Sequence, residues 1–302
     1  VSGLRLVLPG TSANLGPGFD AAGLALSMHL TVEAWPAAAW SIEATGRDAE
    51  ICGKLDGNLI VETYRQVAED VWADFPALKL RIHNEIPLGM GCGSSAAAIC
   101  AGVALADHFG PATGMKHGDV AAVNQANIIE GHPDNVAACW YGGFTVSAYD
   151  ESRGVRCATF AGDPAWQMML AVQASSLATK KARALLPESY SKADAVFNVQ
   201  RSALLVAAFA QGRLGLLRTA MQDRLHQPYR MAACPLLAKL LPLAEEPEIA
   251  GVALSGAGPS VLVFLAEGTT VLEAETRMRA AVGEEVEILP LRIAGGVERT
   301  VL

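Results

Sequence analysis

One run of residues constrains this chain more than any other. Pro87-Leu88-Gly89-Met90-Gly91-Cys92-Gly93-Ser94-Ser95 follows an alternating apolar stretch and leads without a break into the Ala-rich stretch Ser94 to Phe109. The alternation of Leu78, Leu80 and Ile82 reads as a strand, and the Ala-rich stretch as a long helix. The run is therefore a strand–glycine loop–helix junction. Three glycines in five positions let the backbone take positive φ and approach a ligand closely. The start of a helix adds unpaired N–H groups and the positive end of the helix dipole, a ready site for an anion. Ser94 and Ser95 suit either of two tasks, capping the helix or offering hydroxyls to a phosphate or to Mg²⁺. No Gly-Lys-Ser/Thr occurs anywhere, so this is not a Walker A loop. Taken alone, the run is equally a phosphate cradle or a glycine turn with a serine cap.

The rest of the chain supplies a setting for such a junction. At 302 residues it is long for one core and comfortable for two. Hydrophobic residues at 51% against 18% charged describe a packed protein rather than a disordered one. Leu4 to Leu8 and Leu30 to Trp35 read as strands, with Pro9 to Asp20 as a turn region between them. A helical face runs from Asn58 to Phe75, and a second helix covers Val120 to Ile129. Strand Phe144 to Tyr149 then meets the charged turn Asp150 to Gly154, and the domain boundary is placed there, giving 1–150 and 151–302. Beyond it come strand Met168 to Val172 and helices Ala193 to Gln211, Leu214 to Leu225 and Pro235 to Leu241. Val252 to Leu254, Val261 to Leu265, Val271 to Val282 and Val286 to Leu289 close the chain as β-turn-β-α-β. The mixture is α+β.

Charge and cysteine usage narrow the function classes. The net charge is −8, and the densest basic spot is only Lys180-Lys181 followed by Arg183. A nucleic-acid binder needs a basic stripe to neutralise phosphates, so nucleic acid is not expected as a partner. The six cysteines form no CxxC pair and no zinc spacing, which points to reduced thiols and a cytoplasmic location. No stretch of about 18 apolar residues is free of charges and breakers, so no membrane span is expected.

Two further glycine-rich runs match the first one in character. Pro9-Gly10-Thr11-Ser12-Ala13-Asn14-Leu15-Gly16-Pro17-Gly18-Phe19-Asp20 places one Asn and one Asp in an otherwise apolar loop. Leu254-Ser255-Gly256-Ala257-Gly258-Pro259-Ser260 lies between two strands. Each alone reads as a turn. Together, in this order and at these separations, the three runs resemble the three signature motifs of the GHMP kinases, with Cys92 where Leu is usual. The resemblance implies a two-domain fold, with an N-terminal half like ribosomal protein S5 and a ferredoxin-like C-terminal half. It also implies ATP and Mg²⁺, with Pro87, Gly89, Met90, Gly91, Cys92, Gly93, Ser94 and Ser95 around the nucleotide. Asn58 is expected to border the adenine or, equally, to cap its helix.

The middle of the chain narrows the resemblance to the homoserine kinases within that superfamily. Three segments carry it: Glu130-Gly131-His132-Pro133-Asp134-Asn135-Val136, Thr179-Lys180-Lys181-Ala182-Arg183-Ala184-Leu185-Leu186-Pro187, and Asp223-Arg224-Leu225-His226-Gln227-Pro228-Tyr229-Arg230. By resemblance, Asn14, Asp20, His132, Asn135, Arg183 and Arg230 face the amino-acid substrate. Asp20 suits an α-ammonium group, and the guanidinium fork of an arginine suits a carboxylate. Ser95 and Glu130 are the expected Mg²⁺ ligands, and Asn14, Asp134, Asn135 and Arg230 the expected catalytic set. Whether Asp134 serves as a base stays open, since these kinases are often thought to lack one. The implied reaction moves the γ-phosphoryl of ATP to the side-chain hydroxyl of L-homoserine, in a homodimeric enzyme. Another GHMP small-molecule kinase and a non-catalytic regulator of the same fold are the alternatives. Cys92, beside a helix start, is expected to be the most reactive thiol unless it packs inward as a small hydrophobe.

Overall fold

The computed structural model describes residues 2–71, 75–110, 118–173 and 179–302, with the side chains at 70–71 and 179–180 also left out. The end of the expected helix Asn58–Phe75 falls on 72–74, outside the described residues, as do the side chains that open the Thr179 segment.

The first sheet is built around two long strands, β1 (Leu4–Asn14) and β2 (Gly18–Ala37). They pair antiparallel along nearly their whole length, with register shifts at Pro9/Gly10 and Ala13/Asn14. The run expected as a turn from Pro9 to Asp20 is thus mostly strand. Only residues 15–17 turn, with Asn14, Leu15 and Gly16 all at positive φ. Cross-strand pairing satisfies the backbone on either side of the breakers, and the bulges absorb them. β3 (Ser41–Gly46) runs parallel to β4 (Ala77–Asn84), which pairs with β2. β5 (Phe144–Asp150) pairs with β2 on one side and with β6 (Gly154–Phe160) on the other.

The helices α1 (Ala49–Cys52), α2 (Leu59–Val71), α3 (Ser94–Phe109), α4 (Asp119–Glu130) and α5 (Pro133–Tyr141) belong to this first body. α3 packs against α2, α4, α5 and the sheet, which explains why it is apolar on nearly every face. α5 was not foreseen as a helix. Gly131 ends α4 in the left-handed conformation, and Pro133 then opens α5 at the position where its missing N–H costs nothing.

The second sheet comprises β7 (Met168–Val172), β8 (Ile249–Leu254), β9 (Val261–Leu265) and β10 (Glu287–Leu291), in the order β10-β7-β9-β8. With helices between β7 and β8 and between β9 and β10, this is the split βαββαβ arrangement of a ferredoxin-like unit. Its two faces alternate by the strand period. Met168, Leu170, Leu262 and Phe264 join the core of the first body, while Met169, Val252, Val261 and Val263 form a second core. That second core also holds Leu236, Leu237 and Leu240, from α10 (Pro235–Leu240), and Ala274 and Met278, from α11 (Val271–Val282). The remaining helices are α6 (Thr179–Arg183), α7 (Lys192–Ala210), α8 (Leu217–Ala220) and α9 (Gln227–Arg230).

Three differences from the sequence reading bear on organisation. The helix expected over Leu214–Leu225 is a 3₁₀ turn plus the short α8, ending at Ala220. The buried Asp223 carboxylate takes the N–H groups of Leu225, His226 and Gln227, which redirects the chain into α9. β6 stays with the first sheet, past residue 150. The last strand, β11 (Glu298–Val301), returns to pair with β1. The first sheet is therefore assembled from both ends of the chain.

Candidate active site

The three glycine-rich runs meet. Thr11 N donates to Cys92 O (2.9 Å), Gly256 N to Ala13 O (3.0 Å) and Ser260 N to Met90 O (3.3 Å). Ser255 Oγ donates to Gly91 O at 2.7 Å and lies 2.9 Å from the Ser12 hydroxyl. This knitting explains two of the glycines. A Cβ at Gly91 would fall on the carbonyls of Ser255 and Gly258, and one at Gly93 on the Thr11 hydroxyl. Both residues also hold positive φ, +76° and +69°. The loop conformation is thus imposed from two sides.

The runs enclose a cavity of about 170 Å³ lined by residues of every motif, among them Asn14, Asp20, Gly89, Gly91, Cys92, Gly93, Ser94, Ser95, Glu130, His132, Asp134, Asn135, Arg183 and Arg230. Its two ends differ. At one end α3 begins behind Gly93, and no side chain caps it. Of the two readings for Ser94 and Ser95, capping is the one not adopted. Ser95 Oγ instead donates to Glu130 Oε2 at 2.7 Å. Burial holds the Glu130 carboxyl above its ordinary value, with the Ser95 hydrogen bond pulling the other way.

Beside it, α5 begins with His132, Asp134 and Asn135. Asp134 is buried, and its Oδ1 accepts from Asn135 N (2.7 Å) and Nδ2 (3.3 Å) and lies 3.3 Å from His132 Nδ1. Asn135 Oδ1 accepts from the Thr11 hydroxyl at 2.7 Å. The Asp134 contact raises the His132 imidazole above its ordinary value, against burial.

At the other end stand Asp20, Arg183, Arg230 and Phe19. Arg183 grips Asp20 through both terminal nitrogens, at 3.0 and 2.6 Å, and the pair is about one-third exposed. Arg230 is buried. Its Nε donates to Ala182 O (3.2 Å) and its Nη1 to His226 Nδ1 (3.2 Å) and Gly256 O (3.4 Å). All three acceptors are neutral in this geometry. Among the described residues no carboxylate comes within ion-pair distance of Arg230. Both guanidinium groups lie 5.5 Å from the centre of the Phe19 ring.

Asn14 lines the cavity, but its side chain is spent on the loops. Nδ2 donates to Gly256 O (2.9 Å), and Oδ1 accepts from Asp20 N (3.0 Å), so it ties the first run to the third and sets Asp20 in place.

Three other expected positions, Asn58, Pro87 and Met90, lie elsewhere. Asn58 is outside the cavity, with Oδ1 accepting from Ile60 N and Val61 N and Nδ2 donating to Cys52 O, which is the capping alternative. Pro87 and Met90 line a separate cleft with Arg47, Asp48 and Glu287. Cys92 is buried, its Sγ 3.6 Å from Met90 O, and burial pushes the thiol up to about 12. The inward-packed alternative is the one the structure has.

Thr11, Ser255, Phe19 and His226 were missed as contributors. All four sit inside the quoted runs, and their tasks arise only where runs touch.

The chain matches the GHMP kinases N terminal domain over residues 58–143 and the GHMP kinases C terminal domain over 205–284. It is 46% identical over 269 residues to the homoserine kinase of Solibacter usitatus, covering 88% of this chain and 86% of that one. With the homoserine kinase of Thermus thermophilus it shares 38% identity over 97% of both chains. The fold matches the crystal structure of homoserine kinase from Cytophaga hutchinsonii at TM-score 0.80 and 21% identity, over 99% of this chain and 98% of that one. It matches galactokinase from Lactococcus lactis at 0.66 and 14%, over 98% and 95%.

Proposed function

The chain belongs to the homoserine kinase family of the GHMP kinases, and we propose that its cavity holds the amino-acid zwitterion at the Asp20–Arg183–Arg230 end and the transferring phosphoryl group at the Gly91–Ser95 end. The protein phosphorylates the side-chain hydroxyl of L-homoserine with ATP, yielding O-phospho-L-homoserine in threonine biosynthesis. The observation that carries the site reading is Arg230: a buried guanidinium whose hydrogen-bond partners among the described residues are all neutral. Such a charge is costly to bury, and an incoming carboxylate offsets that cost. The nearby Asp20–Arg183 pair is bidentate and about one-third exposed, so an incoming ligand can reach both groups. A zwitterion replaces each partner as the pair opens, its α-ammonium group meeting Asp20 and its carboxylate meeting Arg183.

At the other end the uncapped N–H groups of α3 and the glycine loop suit the phosphates of ATP. Ser95 and Glu130 offer two hard oxygen donors 2.7 Å apart, and the desolvated carboxylate favours a cation beside it. Two protein donors fit Mg²⁺, which keeps waters and phosphate oxygens for its other positions. When bound, Mg²⁺ supplies charge neutralisation at the phosphates. This chain's own part is to position the hydroxyl in line and to stabilise charge on the transferred group. We assign Asp134 to orienting Asn135, whose N and Nδ2 donate to its Oδ1, and to facing the His132 imidazole across 3.3 Å. The six unpaired cysteines support a reducing, cytoplasmic location, and the family resemblance supports a homodimer.

A coupled ATPase assay with homoserine, threonine and mevalonate offered separately tests the assignment. Turnover with homoserine well above the other two is expected. Preference for mevalonate would overturn the zwitterion site, and no turnover with any of them would point to a regulator.

A further inference from the structure

We infer that His226 is a positioning residue of the kinase reaction: its imidazole, tied to the Gly16 carbonyl through Nε2, accepts a hydrogen bond from Arg230 at Nδ1 and so holds that guanidinium toward the substrate carboxylate. The inference rests on the reading that Arg230 meets that carboxylate.

Geometry alone assigns the tautomer. Nε2 lies 2.7 Å from Gly16 O, and a carbonyl only accepts, so Nε2 carries the proton. Nδ1 lies 3.2 Å from Arg230 Nη1, and a guanidinium only donates, so Nδ1 presents its lone pair. A proton at Nδ1 would set two cations face to face in a fully buried place. The ring is clamped on the remaining side by Phe19, at 5.4 Å between centroids. Both guanidinium groups also lie over the Phe19 ring, so imidazole, phenyl and two arginines form one cluster at the amino-acid end.

The charged groups facing the imidazole are Asp223, Arg230 and, further off, Asp20. Asp223 Oδ2 is 3.7 Å from Nε2. Its carboxylate is already engaged by Asn198 Nδ2 and by three backbone N–H groups, so it anchors α9 rather than serving the ring. Burial and the charge of Arg230 hold the imidazole below its ordinary 6.5, against the opposing pull of Asp223. The neutral form that geometry requires is thus the stable one at neutral pH.

Arg230 retains two carbonyl acceptors without His226, so the loss is of aim rather than of the residue. The test measures KM for homoserine and for ATP in His226→Ala, His226→Gln, Arg230→Lys and the His226→Ala/Arg230→Lys double variant. His226→Ala should raise KM for homoserine about tenfold and KM for ATP less than about twofold. Glutamine can donate to Gly16 and accept from Arg230, and should restore the value to within about threefold. In the Arg230→Lys background His226→Ala should add little, because it acts through the same guanidinium. If Arg230→Lys leaves KM for homoserine unchanged, the carboxylate reading itself is wrong. If Arg230→Lys raises it and His226→Ala does not, or raises both KM values alike, only the role of His226 is overturned. Should the alanine variant not fold, the pH profile decides. In the wild type, 1/KM for homoserine should fall on the acid side of 6.5, and in His226→Gln it should not. A fall shared by both proteins, or absent from the wild type, overturns the proposal.

Discussion

The two ends of the cavity are made by opposite means. The phosphate end is backbone: Gly91 and Gly93 at positive φ, and a helix start left uncapped, held by Thr11 on one side and Ser255 on the other. The amino-acid end is side chains: Asp20, Arg183 and Arg230, drawn from three distant segments and kept in place by Phe19 and His226. A phosphate is recognised by amide N–H groups, which every residue carries, so that end needs glycines and close packing. A zwitterion needs two fixed charges of opposite sign, so the other end depends on residue identity and on what stands behind each residue. Changes at the first end should therefore strike turnover, and changes at the second should strike homoserine affinity.

The largest expected effect is that of Glu130→Gln. It removes the carboxylate proposed for Mg²⁺ and should lower kcat by about a hundredfold or more. Because burial raises the Glu130 carboxyl above its ordinary 4.5, its ionised form carries a stability cost at pH above the folded value. The amide should therefore be as stable as the wild type or more so at neutral pH. That advantage should vanish as the pH falls below 4.5, where both proteins are neutral at this position. Thermal midpoints across pH, taken with kcat, check the pair of outcomes; a destabilised variant at neutral pH would make Glu130 a structural residue.

Gly93→Ala comes next. Its Cβ would fall on Thr11 Oγ1, and alanine at φ +69° is strained by about 1–2 kcal/mol, so the loop must shift. A fall in kcat of roughly ten- to a hundredfold is expected, with homoserine still binding by calorimetry. Loss of homoserine binding in step with kcat would erase the contrast between the ends.

Arg183→Ala tests the opposite end and should act more gently. Arg183 is about one-third exposed and already paired, and its removal should raise KM for homoserine about five- to tenfold while leaving KM for ATP nearly unchanged. An effect on ATP alone would reverse the assignment of the two ends.

The smallest effect concerns Cys92. With its thiol buried and pushed up to about 12, iodoacetamide should leave it unmodified with or without nucleotide. The part-exposed Cys52 and Cys157 should be labelled first. Peptide mapping decides, and early modification of Cys92 would mean that the loop opens in solution.

The local sequence by itself determined the junction Pro87–Phe109, the limits of α3 and α11, β7 and β9, and the identity of the motifs. Those features rest on periodicity and on glycine and proline chemistry, which act over a few residues. The resemblance of those motifs to a known family marked the charged and polar residues that line the cavity, while Phe19, which also lines it, carried no such mark. What the local sequence left undecided were questions of partnership. Pro9–Asp20 reads as a turn in isolation and is strand because β2 lies beside it. β6 is partly buried and β11 exposed, both are weakly patterned, and pairing with β5 and β1 makes them strands. The Ser95–Glu130 contact, the Asn14 tie between two loops and the inward packing of Cys92 depended on residues between 35 and 242 positions away. Such contacts leave no local signature, because the energy that selects them is shared with a partner elsewhere in the chain. Tertiary packing alone decided them.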